Sequence, residues 1–345
     1  MERQGRILLE CLSSQVDFFV VTGDGASPVD PSVQIRRVRL PDRPAFLRIT
    51  LFAWRSRKII RACRRDGYLI HSCGFLSCAS VDLATVHLCH AAAGWRERGS
   101  MPRWRAVNAR ISRVLGLALE GHFLRSRVTP QVVAVSRQVL NEITENYADV
   151  VPVVIGNGVD VNFWIDRSVR SSAGPLRLLM VTSDFALKGV REALEMLVET
   201  PNVTLSIAGR GDIDEYRLLA GRLGVKNQVD FLGFCSDLRP VYKNHDVILA
   251  LGKYESFGLF LVEAALAGMC VVGYRIGVVA EIAGGGDGGR VVERQPGAMA
   301  ATINELSSNR ELVYQLGRVG QERALSWGAD KMAQAYLELY GEMMS

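Results

Sequence analysis

Two carboxylates eight residues apart carry the most chemistry in this chain. Glu255 and Glu263 lie in Lys253-Tyr254-Glu255-Ser256-Phe257-Gly258-Leu259-Phe260-Leu261-Val262-Glu263-Ala264. The apolar run Val247–Leu251 before it reads as a strand, and Phe257–Ala267 reads as a helix. Glu255 therefore falls in the turn and Glu263 inside the helix. First-turn amides around Phe257, Gly258 and Leu259 have no intrahelical acceptor, and the helix dipole is positive there, which favours an anionic or hydroxyl-rich ligand. A helix carboxylate can also accept both hydroxyls of a ribose, as the acid of a dinucleotide fold does. The same spacing fits a loop acid and a helix acid on a solvated face, and spacing alone leaves both readings open.

Lys188 opens another expected helix, where a solvated lysine is the plain alternative to an anion contact. Histidines cluster in the first half. Val86-His87-Leu88-Cys89-His90 ends a strand candidate, and His90 is the candidate for touching a sugar or acceptor. A histidine satisfied by backbone is the default, and His87 or His71 could equally take that role. No His/Cys/Asp cluster has metal-ligand spacing, so no required ion is expected. Seven cysteines with no CxxC pair argue for a reducing compartment and against a disulfide framework.

The elements that must position these residues alternate short apolar runs with longer amphipathic ones, the mark of α/β architecture with parallel sheets. In the second half, strands are expected at Leu176–Thr182, Val203–Ala208, Val229–Leu232, Val247–Leu251 and Cys270–Tyr274. Helices are expected at Lys188–Val198, Ile213–Leu223, Leu238–Lys243 and Phe257–Ala267, completing a doubly wound domain. The first half offers strands at Asp17–Val21, Val33–Val38, Tyr68–His71, Ala84–Leu88, Val132–Val135 and Val151–Ile155. Its helices are expected at Glu2–Leu12, Phe46–Arg65, Trp104–Leu119 and Arg137–Asn146. Asp160–Pro175 reads as the linker. Residues 1–165 and 166–329 then form two Rossmann-like domains, with the helix at 330–345 packing back on the first. Two such domains place a ligand in the cleft between them.

The chain has 345 residues, 48% of them hydrophobic, enough for two packed cores. No uncharged apolar stretch approaches the roughly 18 residues of a membrane span, and no secretory leader is evident. The charge is uneven. Residues 1–165 carry 22 Lys/Arg against 14 Asp/Glu, whereas residues 166–345 carry 19 against 22. Arg36 to Arg65 holds eleven basic residues and one acid, interleaved with Phe46, Leu51, Phe52, Trp54 and Ile59. A second basic stretch, 96–127, holds eight arginines and two acids, with Trp95 before it and Trp104 within it. Such helices can lie on an anionic bilayer, although core apolar residues flanked by solvated arginines are the alternative. No nucleic-acid motif accompanies the charge, so no nucleic-acid partner is expected.

The Glu255–Glu263 segment resembles the E-x7-E signature of the retaining glycosyltransferases of family 4, which have the two-domain GT-B fold. Val133-Ala134-Val135-Ser136, Ile155-Gly156-Asn157-Gly158-Val159-Asp160, Ser183-Asp184-Phe185-Ala186-Leu187-Lys188-Gly189, Ile207-Ala208-Gly209-Arg210-Gly211 and Val229-Asp230-Phe231-Leu232-Gly233 resemble further family motifs in family order. The donor loop is similar to that of lipopolysaccharide-core glucosyltransferases. The resemblance implies that Glu263 holds the nucleotide ribose, Glu255 meets the donor-sugar hydroxyls, and Lys188 pairs with the diphosphate. Amides near Gly258 and Leu259 would help hold the donor. An arginine frequent in the family five residues before the lysine is Ser183 here, and Arg210 is the candidate to supply that charge.

The activity so implied is hexosyl transfer, with retention, from a nucleotide sugar (a UDP-sugar is expected) to a glycan or lipid-linked acceptor. The usual family account is front-face attack, with a double displacement as the alternative. No cofactor is expected beyond the nucleotide sugar. The implied setting is cell-surface polysaccharide or lipopolysaccharide assembly at the cytoplasmic face, with 36–65 and 96–127 on the membrane. Two alternatives stand: a GT-B sugar-phosphate or sucrose-type synthase, and an inactive sugar-nucleotide-binding scaffold. The second draws on the opening Met1-Glu2-Arg3-Gln4, which reads as the inside of a first helix. The family's first strand and glycine-rich loop are then expected to be missing, leaving a less stable chain.

Overall fold

A computed structural model describes residues 2–23, 30–42, 44–74, 79–92, 103–125, 131–166, 168 and 174–345. The chain divides into two compact units, one of Met1–Gly158 with Ala329–Ser345, the other of Val159–Gly328. The division falls within Asn157–Asp160 rather than in the 160–175 stretch that composition marks as a linker. The reason is a backbone pairing: the Val159 N–H donates to the Trp327 carbonyl at 2.9 Å, and Val159 bridges Gly328 in parallel. Residues 167 and 169–173 of that stretch lie outside the described residues.

Unit 1 runs α1 (Glu2–Leu12), β1 (Phe19–Thr22), β2 (Gln34–Arg37), α2 (Ala45–Arg65), β3 (His71–Cys73), β4 (Leu83–Val86), α3 (Arg103–Leu124), β5 (Gln131–Ala134), α4 (Arg137–Asn146) and β6 (Val153–Val154). Among the described residues its strands are all parallel and fall in two sheets, β1-β2 and β3-β4-β5-β6. One expectation is corrected here: His71 begins its strand instead of ending it. Tyr68 N–H still bonds the helix carbonyl of Cys63 at 3.0 Å, so the ladder cannot start before the chain has left α2. Ser136 caps α4, its side chain accepting the Val139 N–H at 3.2 Å.

Unit 2 begins with α5 (Val161–Trp164) and β7 (Leu176–Thr182). It continues through α6 (Val190–Leu197), β8 (Val203–Gly209), α7 (Ile213–Arg222), β9 (Val229–Gly233), α8 (Arg239–Lys243) and β10 (Val247–Ala250). α9 (Leu259–Leu266), β11 (Cys270–Gly273), α10 (Val279–Ala283), β12 (Gly289–Val291), α11 (Ala298–Ser308) and α12 (Arg310–Ala324) complete it. The last helix, α13 (Ala329–Met344), belongs to unit 1, where Met332, Ala333, Tyr336 and Tyr340 pack with Leu8 and Leu12 of α1.

The unit 2 sheet is parallel, in the order β12-β11-β10-β7-β8-β9. β7 reads Leu-Arg-Leu-Leu-Met-Val-Thr because both its faces are covered, the pattern of a parallel sheet. Leu178, Leu179, Leu205 and Val247 are fully buried, each contributing about 1.5–3 kcal/mol. The chain builds outward from β7 to β8 and β9, then returns to the other side of β7 as β10. That reversal makes the β7/β10 boundary the topological switch point, and the loops leaving these strands flank a crevice there. Below it, the buried carboxylate of Asp246 takes Arg177 and Arg310, each at 2.8 Å, tying β10 to β7 and α12.

Candidate functional site

Both loops at the switch point carry residues singled out by sequence. After β7, Thr182 Oγ1 accepts the Asp184 N–H at 3.0 Å, and Asp184 Oδ1 accepts the Leu187 N–H at 3.0 Å. The Lys188 N–H donates to the Asp184 carbonyl at 3.0 Å, closing a tight turn that delivers Lys188 just before α6. Gly189 follows with φ +78°, and a Cβ there would come within 2.5 Å of the Leu251 carbonyl oxygen. Only glycine lets the lysine turn lie this close to the end of β10.

After β10 the chain is pinned twice to the turn following β11. The Gly277 N–H donates to the Glu255 carbonyl at 3.0 Å, and the Val278 N–H to the Phe257 carbonyl at 2.9 Å. Gly258, at φ +89°, opens α9. Lys188 Nζ then reaches Glu255 Oε2 at 2.7 Å and the Tyr254 carbonyl at 3.2 Å. This ion pair keeps part of both side chains open, with 26% of Lys188 and 19% of Glu255 exposed.

Glu263 sits inside α9 as predicted, but the helix is apolar around its whole circumference and Glu263 is only 4% exposed. The solvated-face reading therefore falls. Tyr242 of α8, itself fully buried, directs its hydroxyl toward Glu263 Oε2 at 3.4 Å. Phe257 is buried with its ring against Trp327, so it offers backbone rather than side chain. Gly258 and Leu259 lie at the amide end of α9, as expected. Ser183 is exposed in the turn after β7.

Arg210 is held beside that turn by its own N–H on the Thr182 carbonyl at 3.1 Å. Its guanidinium lies 4.4 Å from the ring centre of Phe234, at the end of β9, rather than in the Lys188–Glu255 pair. Sequence reasoning missed a second cation. Arg294, after β12, stacks on Tyr274 at 3.8 Å and donates to the Gly252 carbonyl, while the Tyr274 hydroxyl donates to Glu192 of α6. A Cβ on Gly252 would stand 3.2 Å from Lys188 Cδ, so this cluster braces the floor beneath the lysine. Nothing in the local spacing of Glu192, Tyr274 and Arg294 could have joined them.

In unit 1 the histidines separate. His71 Nδ1 meets the Tyr340 hydroxyl at 2.7 Å and Nε2 meets Thr85 Oγ1 at 2.8 Å, while Thr85 Oγ1 also meets the Tyr336 hydroxyl at 2.7 Å. Burial, reinforced by nearby His87, pushes the His71 pKa down to about 4. His71 is thus a neutral structural link between β3, β4 and α13, not a free candidate. His87 follows β4, and burial lowers it too, to about 4. His90 lies in the next turn, its N–H donating to Glu120 Oε2 at 2.6 Å. Among the described residues no group of three or more His, Cys, Asp or Glu side chains could hold a metal ion, and no helix is long and apolar enough to cross a membrane.

Comparison with known proteins places this geometry in a family. Residues 1–163 match the sequence model of Glycosyltransferase Family 4, and residues 163–323 that of Glycosyl transferases group 1. An uncharacterized glycosyltransferase of Methanocaldococcus jannaschii is 27% identical over 89% of this chain and 84% of its own length. A glycogen synthase of Mycobacterium tuberculosis is 28% identical over 74% of this chain, which spans 63% of it. Among solved structures, WaaG, a glycosyltransferase involved in lipopolysaccharide biosynthesis, superposes with a TM-score of 0.74 at 16% identity. It covers 98% of this chain and 95% of its own. The Anabaena protein Alr3699/HepE, solved in complex with UDP and glucose, gives 0.71 at 17% identity over 99% and 95%. The two matched halves, the two Rossmann-like units with parallel sheets and the switch-point carboxylates agree: the chain is a glycosyltransferase of the GT-B fold and belongs to family 4.

Proposed function

We propose that this enzyme moves a hexosyl unit from a UDP-sugar to a glycan or lipid-linked acceptor, with retention, in cell-surface polysaccharide or lipopolysaccharide assembly. The observation that carries the reading is the Lys188–Glu255 pair at the β7/β10 switch point, with the buried carboxylate of Glu263 on the helix that follows. The donor diphosphate lies against Lys188 Nζ, the N-terminal amides of α9 and the turn around Ser183. Glu263 accepts ribose hydroxyls. Glu255 accepts hydroxyls of the donor sugar once the phosphate has taken over the lysine. When the bond from the anomeric carbon to the phosphate oxygen breaks, the electron pair leaves with the diphosphate and Lys188 offsets the growing negative charge. In front-face attack the acceptor oxygen bonds the anomeric carbon from the same side and passes its proton to the departing phosphate. The Anabaena neighbour solved with UDP and glucose supports the choice of base and sugar class.

Unit 1 takes the acceptor, with His90 as the contacting side chain. Its approach to a lipid-linked acceptor runs along α2 and α3, which pack on each other. α2 exposes Trp54, at 67%, among Arg55, Arg57, Lys58 and Arg61; α3 exposes Val107, Ile111 and Val114 on one face. Apolar side chains ringed by cations suit an anionic bilayer surface. Residues 96–102 and 126–127 of the second basic stretch lie outside the described residues. The test is transfer of radiolabelled hexose from UDP-glucose and UDP-galactose to extracted lipid-linked glycans. Label in the lipid phase that requires both Lys188 and Glu255 supports the reading, and hydrolysis alone contradicts it.

A further inference from the structure

Glu120 of α3 is a fully buried carboxylate that the transfer chemistry above leaves unused. Its Oε2 accepts the His90 N–H at 2.6 Å, and its Oε1 accepts the Ala91 N–H at 3.0 Å and the Tyr147 hydroxyl at 2.9 Å. Cys89 Sγ stands 3.7 Å from the same oxygen. Removing a carboxylate from water costs several kcal/mol unless its lone pairs are met, and here donors from two segments meet them. Three of those donors are consecutive residues, Cys89, His90 and Ala91, in the turn that leaves β4.

One helical turn before Glu120 stands Gly116, on the same face of α3. A Cβ at Gly116 would lie 2.8 Å from His90 Cε1, 2.9 Å from Nδ1 and 3.0 Å from Nε2. Nearly equal distances to three ring atoms mean that the imidazole lies flat over the glycine. α3 therefore offers His90 two fittings at i and i+4: bare backbone beneath the ring, and a carboxylate that takes the backbone N–H. A turn that needed only closing could use a neutral acceptor at lower desolvation cost, and would not need the space over Gly116.

We propose that Gly116 and Glu120 form a seat that fixes the His90 imidazole for acceptor contact, making Glu120 a positioning residue that acts through the Cys89–Ala91 turn. The role in transfer rests on the reading of His90 given above; the seat itself rests on the contacts. Burial lowers the His90 pKa, with Glu120 pushing it up and Arg113, also on α3, pushing it down.

The experiment uses the full chain with 13C-labelled histidine, assigning the His90 ring resonance with His90→Gln. In Glu120→Gln, a ring that stayed seated would titrate lower still, because the carboxylate that favours its charged form is gone. A released ring would titrate upward, toward the ordinary value of about 6.5. The proposal expects the upward shift, and also expects it in Gly116→Ala, which keeps the carboxylate and crowds the ring. It further expects transfer to fall by about tenfold to a hundredfold while UDP affinity stays within about twofold. A His90 titration that falls or stays put in Glu120→Gln, or stays put in Gly116→Ala, overturns the seat, as does UDP affinity falling in step with transfer. Wild-type transfer by His90→Gln would instead remove the acceptor role of His90 and leave the seat standing.

Discussion

Lys188 Nζ stands 2.7 Å from Glu255 Oε2, so the side chains offered by the β7 and β10 loops already neutralise each other across the switch point. On the proposed reading, a donor diphosphate arriving at the lysine displaces this carboxylate. Glu255→Gln is therefore expected to bind UDP at least as tightly as the wild type while transferring sugar about a hundredfold more slowly. Lys188→Met is expected to lose about 1.5–3 kcal/mol of UDP binding, roughly ten- to a hundredfold in affinity. Calorimetric titration with UDP checks both. Weakened UDP binding in Glu255→Gln would contradict the displacement.

Glu263 makes a different prediction, because its oxygens are assigned to ribose. Removing the 2′-hydroxyl of UDP should weaken binding to the wild type by about 1 kcal/mol or more. The same removal should cost nothing further in Glu263→Ala. An unchanged ratio between UDP and 2′-deoxy-UDP in the two proteins would show that Glu263 does not read the ribose.

Much of unit 2 was legible because buried parallel strands declare themselves as apolar runs. Leu176–Thr182 begins and ends where the run does, and the placement of Glu255 in a turn and Glu263 in a helix held. The ion pair was not legible. Lys188 and Glu255 are 67 residues apart, and only the return of the chain to β7's other side makes their loops neighbours. The burial of Glu263 was hidden too, since an acid in an apolar helix reads equally as a solvated position. In unit 1, the apolar residues Tyr68–Ile70 drew the strand too early, whereas the ladder runs through the polar His71-Ser72-Cys73. What fixes His71 there is a pair of tyrosines on α13, remote in sequence. The segment carrying α10, β12, α11 and α12 showed no run distinct enough to mark.

The His71 link carries a pH dependence. Its pKa is about 4 in the folded chain against about 6.5 unfolded. Between those values the unfolded chain binds a proton that the folded one does not, so stability falls with falling pH. The contribution is complete above about pH 6.5 and lost toward pH 4, at most about 3 kcal/mol. The melting midpoint should drop between pH 7 and pH 5, and drop less in His71→Gln, with His87 accounting for a remaining slope in the same window. A variant curve parallel to the wild type would remove His71 from this account.

For the surface of α2, the prediction concerns vesicles. The protein should cosediment with phosphatidylserine-containing vesicles at low salt, lose that binding as salt rises, and bind more weakly as Trp54→Ser. Equal binding to neutral vesicles, or none at low salt, would set the membrane contact aside.

The most direct measurement is the thermal unfolding of the wild type and of Lys188→Met with UDP, GDP and ADP. A nucleotide at a hundred times its dissociation constant stabilises by about 2.7 kcal/mol, which a midpoint shift resolves. UDP raising the wild-type midpoint, and stabilising Lys188→Met by only about 0.4–1.4 kcal/mol at the same concentration, is the predicted result. An unmoved midpoint with all three nucleotides, or an equal rise in both proteins, would contradict a donor site at the β7/β10 switch point.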